Sequence, residues 1–250
     1  MTDIEKILIP KSQKYPQKCF LRTDGKDVHT KFGVIPRKDV ENAKDGEQVL
    51  SNRNEKYTVL SPSFIDLYMK IKRTAQIIPL KDVGTIISFC GIGKDTTIVD
   101  AGAGSGGLSL FLAHVAKKVY TFDALEENAT LVENNAKKLG LKNIEVKHKD
   151  VYNGYGKKNA DVVTIDIPEP WQVVKHAYDA LKIGGFMVCY SPCVPPLSDF
   201  LEEVTKNENL LIIHTMEIIE RYWEFKERKI RPKSAGIGHS GFLSFVRKVA

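Results

Sequence analysis

The pattern of apolar and polar positions changes character at about Lys81. Before it, short apolar stretches such as Lys18-Cys-Phe-Leu-Arg22 and His29-Thr-Lys-Phe-Gly-Val-Ile35 are separated by turn signals such as Asp24-Gly25, and Tyr57-Thr-Val-Leu60 is followed by Ser-Pro. Brief apolar runs punctuated by Gly, Asp and Pro predict a small β-rich module over residues 1–72.

From there to the end of the sequence, strands alternate with helices. Thr97-Ile-Val-Asp-Ala101 reads as a buried strand running into a tight turn, and Leu108 to Ala116 as a helix packed on the sheet. Val119 to Asp123 is a second strand. In residues 127–139, Ala129, Val132, Ala136 and Leu139 recur at helical spacing, and Gly140 stops the helix. Ile144 to His148 is a third strand, Asp161 to Asp166 a fourth, and Gln172 to Leu181 a helix closed by Gly184-Gly185. Phe186 to Tyr190 is a fifth strand, Leu197 to Val204 a helix, and Leu210 to His214 and Gly241 to Val246 are final strands. Such alternation predicts an α/β domain over 73–250, a mostly parallel sheet with helices on both faces.

Composition narrows the picture modestly. With 42% hydrophobic and 27% charged residues the chain reads as an ordinary globular protein, and it has no apolar run of ~18 residues that would span a membrane. Met1-Thr-Asp-Ile-Glu-Lys6 lacks the pattern of a secretory signal, so a cytoplasmic location is expected. Lys and Arg outnumber Asp and Glu by 37 to 31. That excess suits a polyanionic partner but does not identify one. Cys19, Cys90, Cys189 and Cys193 do not form a set of zinc-site spacings, so no metal is expected and buried thiols are.

The chemistry concentrates at strand ends. In doubly wound sheets, ligands bind beyond the carboxyl ends of the strands. Asp100-Ala-Gly-Ala-Gly-Ser-Gly-Gly107 follows the first strand, and Gly102, Gly104, Gly106 and Gly107, with Ser105, allow a sharp turn and a close ligand approach. Asp123 ends the next strand at the distance expected of a carboxylate that takes ribose hydroxyls. The loop alone is compatible with a methyltransferase, a nicotinamide or flavin enzyme, or a structural turn. Three further residues favour the methyltransferase. A carboxylate at Asp100 suits a cationic sulfonium and amine and would repel a pyrophosphate. Asp150, after the third strand, can accept from an adenine amine. Gly184-Gly185 precedes the fifth strand as in class I methyltransferases.

The segments Arg73-Thr-Ala-Gln-Ile-Ile78, Asp100 to Gly106, Asp166-Ile-Pro-Glu-Pro-Trp171, Tyr190-Ser-Pro-Cys193, Arg221-Tyr-Trp-Glu224 with Arg231-Pro232, and Gly238-His-Ser-Gly-Phe242 together resemble the tRNA (adenine-N1) methyltransferases that modify the T-loop. The resemblance covers most of the chain, and the Pro-Glu-Pro-Trp segment is its most diagnostic part. It implies a class I, Rossmann-like methyltransferase sheet with a small N-terminal β domain, S-adenosylmethionine (SAM) as cofactor, and tRNA as substrate. It also implies a homotetramer and a target at adenine 58, with 57 as well in some archaeal relatives. Gln76 is implied to help close the cofactor pocket. One departure stands out: where the family commonly has an aromatic–Pro pair before Lys-Asp, this chain has Pro79-Leu80-Lys81-Asp82.

Asp166, where the fourth strand meets the cofactor, is the expected catalytic residue, also facing the cofactor. Its carboxylate can orient the exocyclic amine and stabilise the charge that N1 methylation creates. The plainer reading is a helix cap. Trp171 reads equally as a stacking platform or core, and His239 as a structural histidine. Arg221, Lys226, Arg228, Lys229, Arg231 and Lys233 read equally as phosphate contacts or a solvated face. Methylation of another acceptor, or a non-catalytic RNA-binding subunit, are the rival functions.

Overall fold

The structure is a computed structural model and describes residues 3–11, 18–74, 76–226, 228–234, 236 and 238–250. By internal contacts the chain divides into two units, Met1–Ile71 with Ala136–Gly140, and Lys72–Asn135 with Leu141–Ala250.

The first unit holds β1 (Ile4–Pro10), β2 (Cys19–Arg22), β3 (Val28–Thr30), β4 (Gly33–Ile35), α1 (Arg37–Asn42), β5 (Gln48–Leu50), β6 (Lys56–Leu60) and α2 (Phe64–Tyr68). Antiparallel pairing gives a four-stranded sheet in the order β2-β1-β6-β5, with β3 and β4 as a separate hairpin. Leu8, Leu21, Ile35, Val40, Tyr57 and Val59 fill its core. The single stretch expected over His29–Ile35 is two strands. Thr30 Oγ1 accepts the Phe32 N–H (3.0 Å) and donates to the Gly33 carbonyl (2.8 Å), closing a turn that Gly33 completes at φ +106°.

In the second unit, α3 (Leu80–Phe89) precedes β7 (Thr97–Ala101), α4 (Gly107–Val115), β8 (Lys118–Asp123), α5 (Glu126–Leu139), β9 (Ile144–His148) and β10 (Ala160–Ile165). There follow α6 (Val174–Ala180), β11 (Leu181–Ser191), α7 (Val194–Thr205), β12 (Leu210–Glu217), β13 (Trp223–Lys226), β14 (Lys229–Pro232) and β15 (Phe242–Lys248). The main sheet has the order β12-β15-β11-β10-β7-β8-β9. The five strands from β9 to β11 are parallel, while β15 runs antiparallel to both neighbours.

Both faces are covered, so the central strands are near-continuously apolar rather than alternating. Ile98, Val119, Val162 and Val188 meet α3 and α4 through Val83, Ile86, Leu108 and Leu112. Val99, Val163, Met187 and Cys189 meet α6 and α7 through Val174, Ala177, Phe200 and Val204.

Three expectations shift. The helix expected over Gln172–Leu181 is a 3₁₀ turn, Pro170–Val173, followed by α6, because Pro170 favours the first turn and the tighter winding carries the chain off the strand end. Gly184-Gly185 does not close that helix, which ends at Ala180. Both glycines lie inside β11, at an irregularity in its pairing with β10, with Gly184 at φ +80°. The cysteines are thiols as expected, yet only Cys189 is buried, and Cys193 is exposed.

Candidate active site

The turn after β7 is built from glycines whose reasons differ. A Cβ on Gly102 would lie 2.0 Å from the Asp166 carbonyl oxygen, and Gly102 sits at φ +92°, so here only glycine lets two strand ends touch. Gly107 faces Ile77, where a Cβ would come within 2.5 Å. Gly104 is at φ +52° with nothing within 4 Å of its Cβ position. That glycine faces open space and is available to a ligand.

The loop is braced from beneath. Asn135, buried on α5, donates to the backbone carbonyls of Lys72 (2.9 Å) and Ser105 (3.2 Å) and accepts from Lys72 N–H (3.1 Å). Ser105 Oγ accepts the Thr74 N–H at 3.0 Å. Asp123, at the end of β8, accepts from Gly104 N–H (2.8 Å), Leu125 N–H (2.9 Å) and Asn128 Nδ2 (3.1 Å). Three donors fix this half-buried carboxylate beside the glycine loop.

Asp100 is placed differently from the expectation. Parallel pairing puts it level with Thr121 on β8 and Thr164 on β10, all three facing the side covered by α3 and α4. Both hydroxyls donate to it, Thr121 at 2.7 Å and Thr164 at 2.6 Å, and the side chain is enclosed within the sheet. Burial raises its pKa to about 6 against the pull of the two hydroxyls. Asp100 therefore supports the loop from inside the sheet.

Asp166 follows β10 directly, its N–H bonded to the Ala101 carbonyl at 2.9 Å. Its carboxylate is half-buried and makes no hydrogen bond or ion pair with a described residue. Burial, and then the charge of Asp100, push its pKa up to about 7. It does not cap the following turn, whose cap position is Glu169. A carboxylate left unpaired at a strand end, beside a loop with open space, is a group held for something else.

Other expected residues spread out. Asp150 is exposed and its Oδ1 accepts the Tyr152 N–H (2.9 Å), capping a short 3₁₀ turn. Gln76 is exposed. Trp171 is half-buried, while Tyr222 and Trp223 are exposed on and beside the β13–β14 hairpin that carries the basic strip. The Lys226 side chain lies outside the described residues.

Several partners had no signal in the sequence. Thr121, Thr164 and Asn135 read there as ordinary strand and helix residues. Lys81 and Asp82, adjacent in sequence, form a buried ion pair at 2.7 Å, and Ser240 Oγ donates to Asp82 at 3.1 Å. Tyr190 donates to the Ser240 carbonyl (2.7 Å), and burial with nearby Asp82 raises its pKa to about 12. His239 has Glu217 Oε1 at 2.5 Å on Nδ1 and the Pro192 carbonyl at 2.8 Å on Nε2. Two acceptors on one ring call for two N–H groups, so its pKa is raised.

A seven-stranded sheet of this order, with a glycine loop after its first strand and carboxylates ending the next strands, defines a class I SAM-dependent methyltransferase. The fold is shared with a SAM-dependent O-methyltransferase from Thermotoga maritima (TM-score 0.89, 26% identity, 100% of this chain and 95% of that one). It is shared too with a tRNA (m1A58) methyltransferase TrmI from Aquifex aeolicus (TM-score 0.84, 24% identity, 100% and 99%). Residues 59–241 match the family described as tRNA methyltransferase complex GCD14 subunit. The chain belongs to that family. Among its relatives is the tRNA (adenine(57)-N(1)/adenine(58)-N(1))-methyltransferase TrmI of Methanocaldococcus jannaschii, 30% identical over 92% of this chain and 91% of that one. The tRNA (adenine(58)-N(1))-methyltransferase TrmI of Thermus thermophilus is 26% identical over 90% of each.

Proposed function

We propose that the protein methylates N1 of adenine 58 in the T-loop of tRNA, with adenine 57 as the second candidate position, using SAM. One observation carries the reading: Asp166, whose half-buried carboxylate has no partner among the described residues, is held by its backbone carbonyl against Gly102 of the loop that SAM enzymes of this fold use. Residues 1–72 are assigned to a β-rich domain and 73–250 to the catalytic domain.

The residues present fit SAM. Gly104 leaves open the space a Cβ would take, and Asp123 is fixed beside it by three donors, with acceptor capacity left on Oδ2 for a ribose hydroxyl. Gly102, Ser105, Gly106 and Gly107 shape the loop, Asp150 is assigned to the adenine amine, and Gln76 to closing the pocket. When bound, SAM supplies an electrophilic methyl group on a sulfonium.

The chain's own part is to orient and to stabilise. A T-loop adenine must leave its stack, at a cost of roughly a few kcal/mol. Asp166, once ionised, accepts a hydrogen bond from the exocyclic amine and so turns the N1 lone pair toward the methyl donor. Methylation leaves a positive charge on the base, and the same carboxylate stabilises it.

The relation to the Thermotoga O-methyltransferase favours a second reading, an acceptor other than tRNA. Methyl transfer from labelled SAM to an unmodified tRNA transcript, with nucleoside analysis, separates the two. 1-Methyladenosine that disappears in Asp166→Ala supports the proposal. Cofactor binding without any tRNA methylation overturns the substrate.

No helix among the described residues is long and apolar enough to cross a membrane, and no His, Cys, Asp and Glu cluster among them is arranged to hold a metal. A homotetramer is supported by the resemblance and by the β13–β14 hairpin, which leaves Trp223, Phe225 and Ile230 half or more exposed. Native mass spectrometry showing only monomer would exclude it.

A further inference from the structure

The N-terminal unit carries a cleft of about 320 Å³ that nothing above explains. It lies where β2, the β3–β4 turn and the residues after α2 meet. Four cations line it, Lys18, Arg22, Lys31 and Lys70, together with His29, and no Asp or Glu among the described residues does. Of the four, Lys18 is neutralised by Asp66 at 2.7 Å. Arg22 and Lys70 form no ion pair with a described residue; Lys70 instead sits over the Phe20 ring, 4.5 Å from its centroid.

The rest of the lining is aromatic. Phe20 and Phe32 are half-buried, each with part of its surface toward solvent. Tyr57 forms part of the floor, buried, its hydroxyl donating to Thr30 Oγ1 at 2.9 Å. Thr30 also binds the Phe32 N–H and the Gly33 carbonyl, so one threonine fixes the turn that presents Lys31 and Phe32. The cleft is thus pre-formed and not a loose patch of lysines.

Arg22 and Lys70, without an ion pair among the described residues, stand beside aromatic rings in a space the size of a small-ligand site, which matches a sugar-phosphate with a base to stack. We propose that this cleft is an RNA-binding site, taking a nucleotide of the substrate tRNA with its phosphate against Arg22 and Lys70 and its base against Phe20 or Phe32. This rests on the tRNA reading above for its ligand but not on Asp166 or the glycine loop.

The test is direct binding of tRNA to the full chain, followed by fluorescence anisotropy across a salt series. Arg22→Glu/Lys70→Glu is expected to weaken tRNA binding at least tenfold and to flatten the salt dependence by one to two phosphate contacts. SAM affinity should stay as in the parent, and the loss should appear in KM for tRNA. Phe32→Leu, which keeps an apolar side chain at the turn, is expected to weaken binding several-fold with the salt slope intact. Circular dichroism and melting identify any variant that fails to fold, and the milder Lys70→Gln then takes its place. Unchanged tRNA affinity and salt slope in folded variants overturn the proposal. So does a result in which only inorganic phosphate or AMP loses affinity, which would mark a small-anion site. Because binding is read without turnover, an inactive enzyme whose variants still lose tRNA affinity would sink the methylation reading and leave the cleft standing.

Discussion

Replacing Gly104 with alanine separates the ligand role of the loop from its structural role. Gly104 is in the left-handed region at φ +52°, where a Cβ costs roughly 1–2 kcal/mol. Nothing lies within 4 Å of the new methyl, so no clash adds to this. For a unit of this size, each kcal/mol lowers Tm by about 2–4 °C, so Gly104→Ala should melt roughly 2–8 °C below the parent and remain folded. The same methyl occupies the space left for SAM, and affinity should fall at least tenfold, about 1.4 kcal/mol or more. Gly102→Ala is the contrasting case. Its Cβ would sit 2.0 Å from the Asp166 carbonyl, so the strand ends must part and the melting loss should be clearly larger. Calorimetric titration with SAM and thermal melting give both readings. Parent-like SAM affinity in a folded Gly104→Ala would refute the placement of the cofactor at this loop.

Three other outcomes follow from the buried carboxylates. Because burial and Asp100 hold Asp166 up to about 7, and the ionised form does the work, kcat/KM should rise with pH to a plateau above that value. Asp100→Asn removes the neighbouring charge and should move the rise to lower pH, as pH–rate profiles will show. Asp166→Asn should cost 10²–10³-fold in turnover. It should nevertheless melt above the parent at pH 8: a carboxylate raised on folding stabilises below its unfolded pKa and loses that contribution as pH climbs through the folded one, so the gap should close toward pH 4. Thr164→Val deprives ionised Asp100 of one of its two donors and should cost about 1.5–3 kcal/mol in urea unfolding at pH 8. The deficit should shrink at pH 4–5, where the Asp100 carboxyl, with a pKa of about 6, is protonated.

What could be read from the sequence follows from what a single segment can encode. The strands at Thr97–Ala101 and Ile144–His148 were legible to the residue because each is a short apolar or alternating run bounded by turn residues. The glycine loop and Asp166 were legible because close backbone approach and a carboxylate at a strand end leave local marks. Asp100 was found but its surroundings were not. Its two threonine partners come from strands 21 and 64 residues away, and register across a parallel sheet is invisible to a local pattern. The β13–β14 hairpin escaped because its residues stay exposed, so no buried face imposes an alternation. The basic cleft of the N-terminal unit escaped for a related reason: Arg22 on β2, Lys31 in the β3–β4 turn and Lys70 after α2 are far apart in sequence and meet only in the folded unit.

Strand order has a consequence for how the chain is made. β15 follows β12 in sequence yet lies between β12 and β11 in the sheet. During synthesis on the ribosome, β11 is finished while its outer edge has no partner, and β12 emerges with nothing to pair against. The five parallel strands that carry the glycine loop and Asp166 can assemble at that stage, but their sheet ends in an open, apolar edge that invites pairing with other chains. Only when Phe242–Lys248 inserts, bonded to both neighbours, is that edge sealed. Closure of the methyltransferase sheet is thus a late, long-range event, timed by the arrival of one strand.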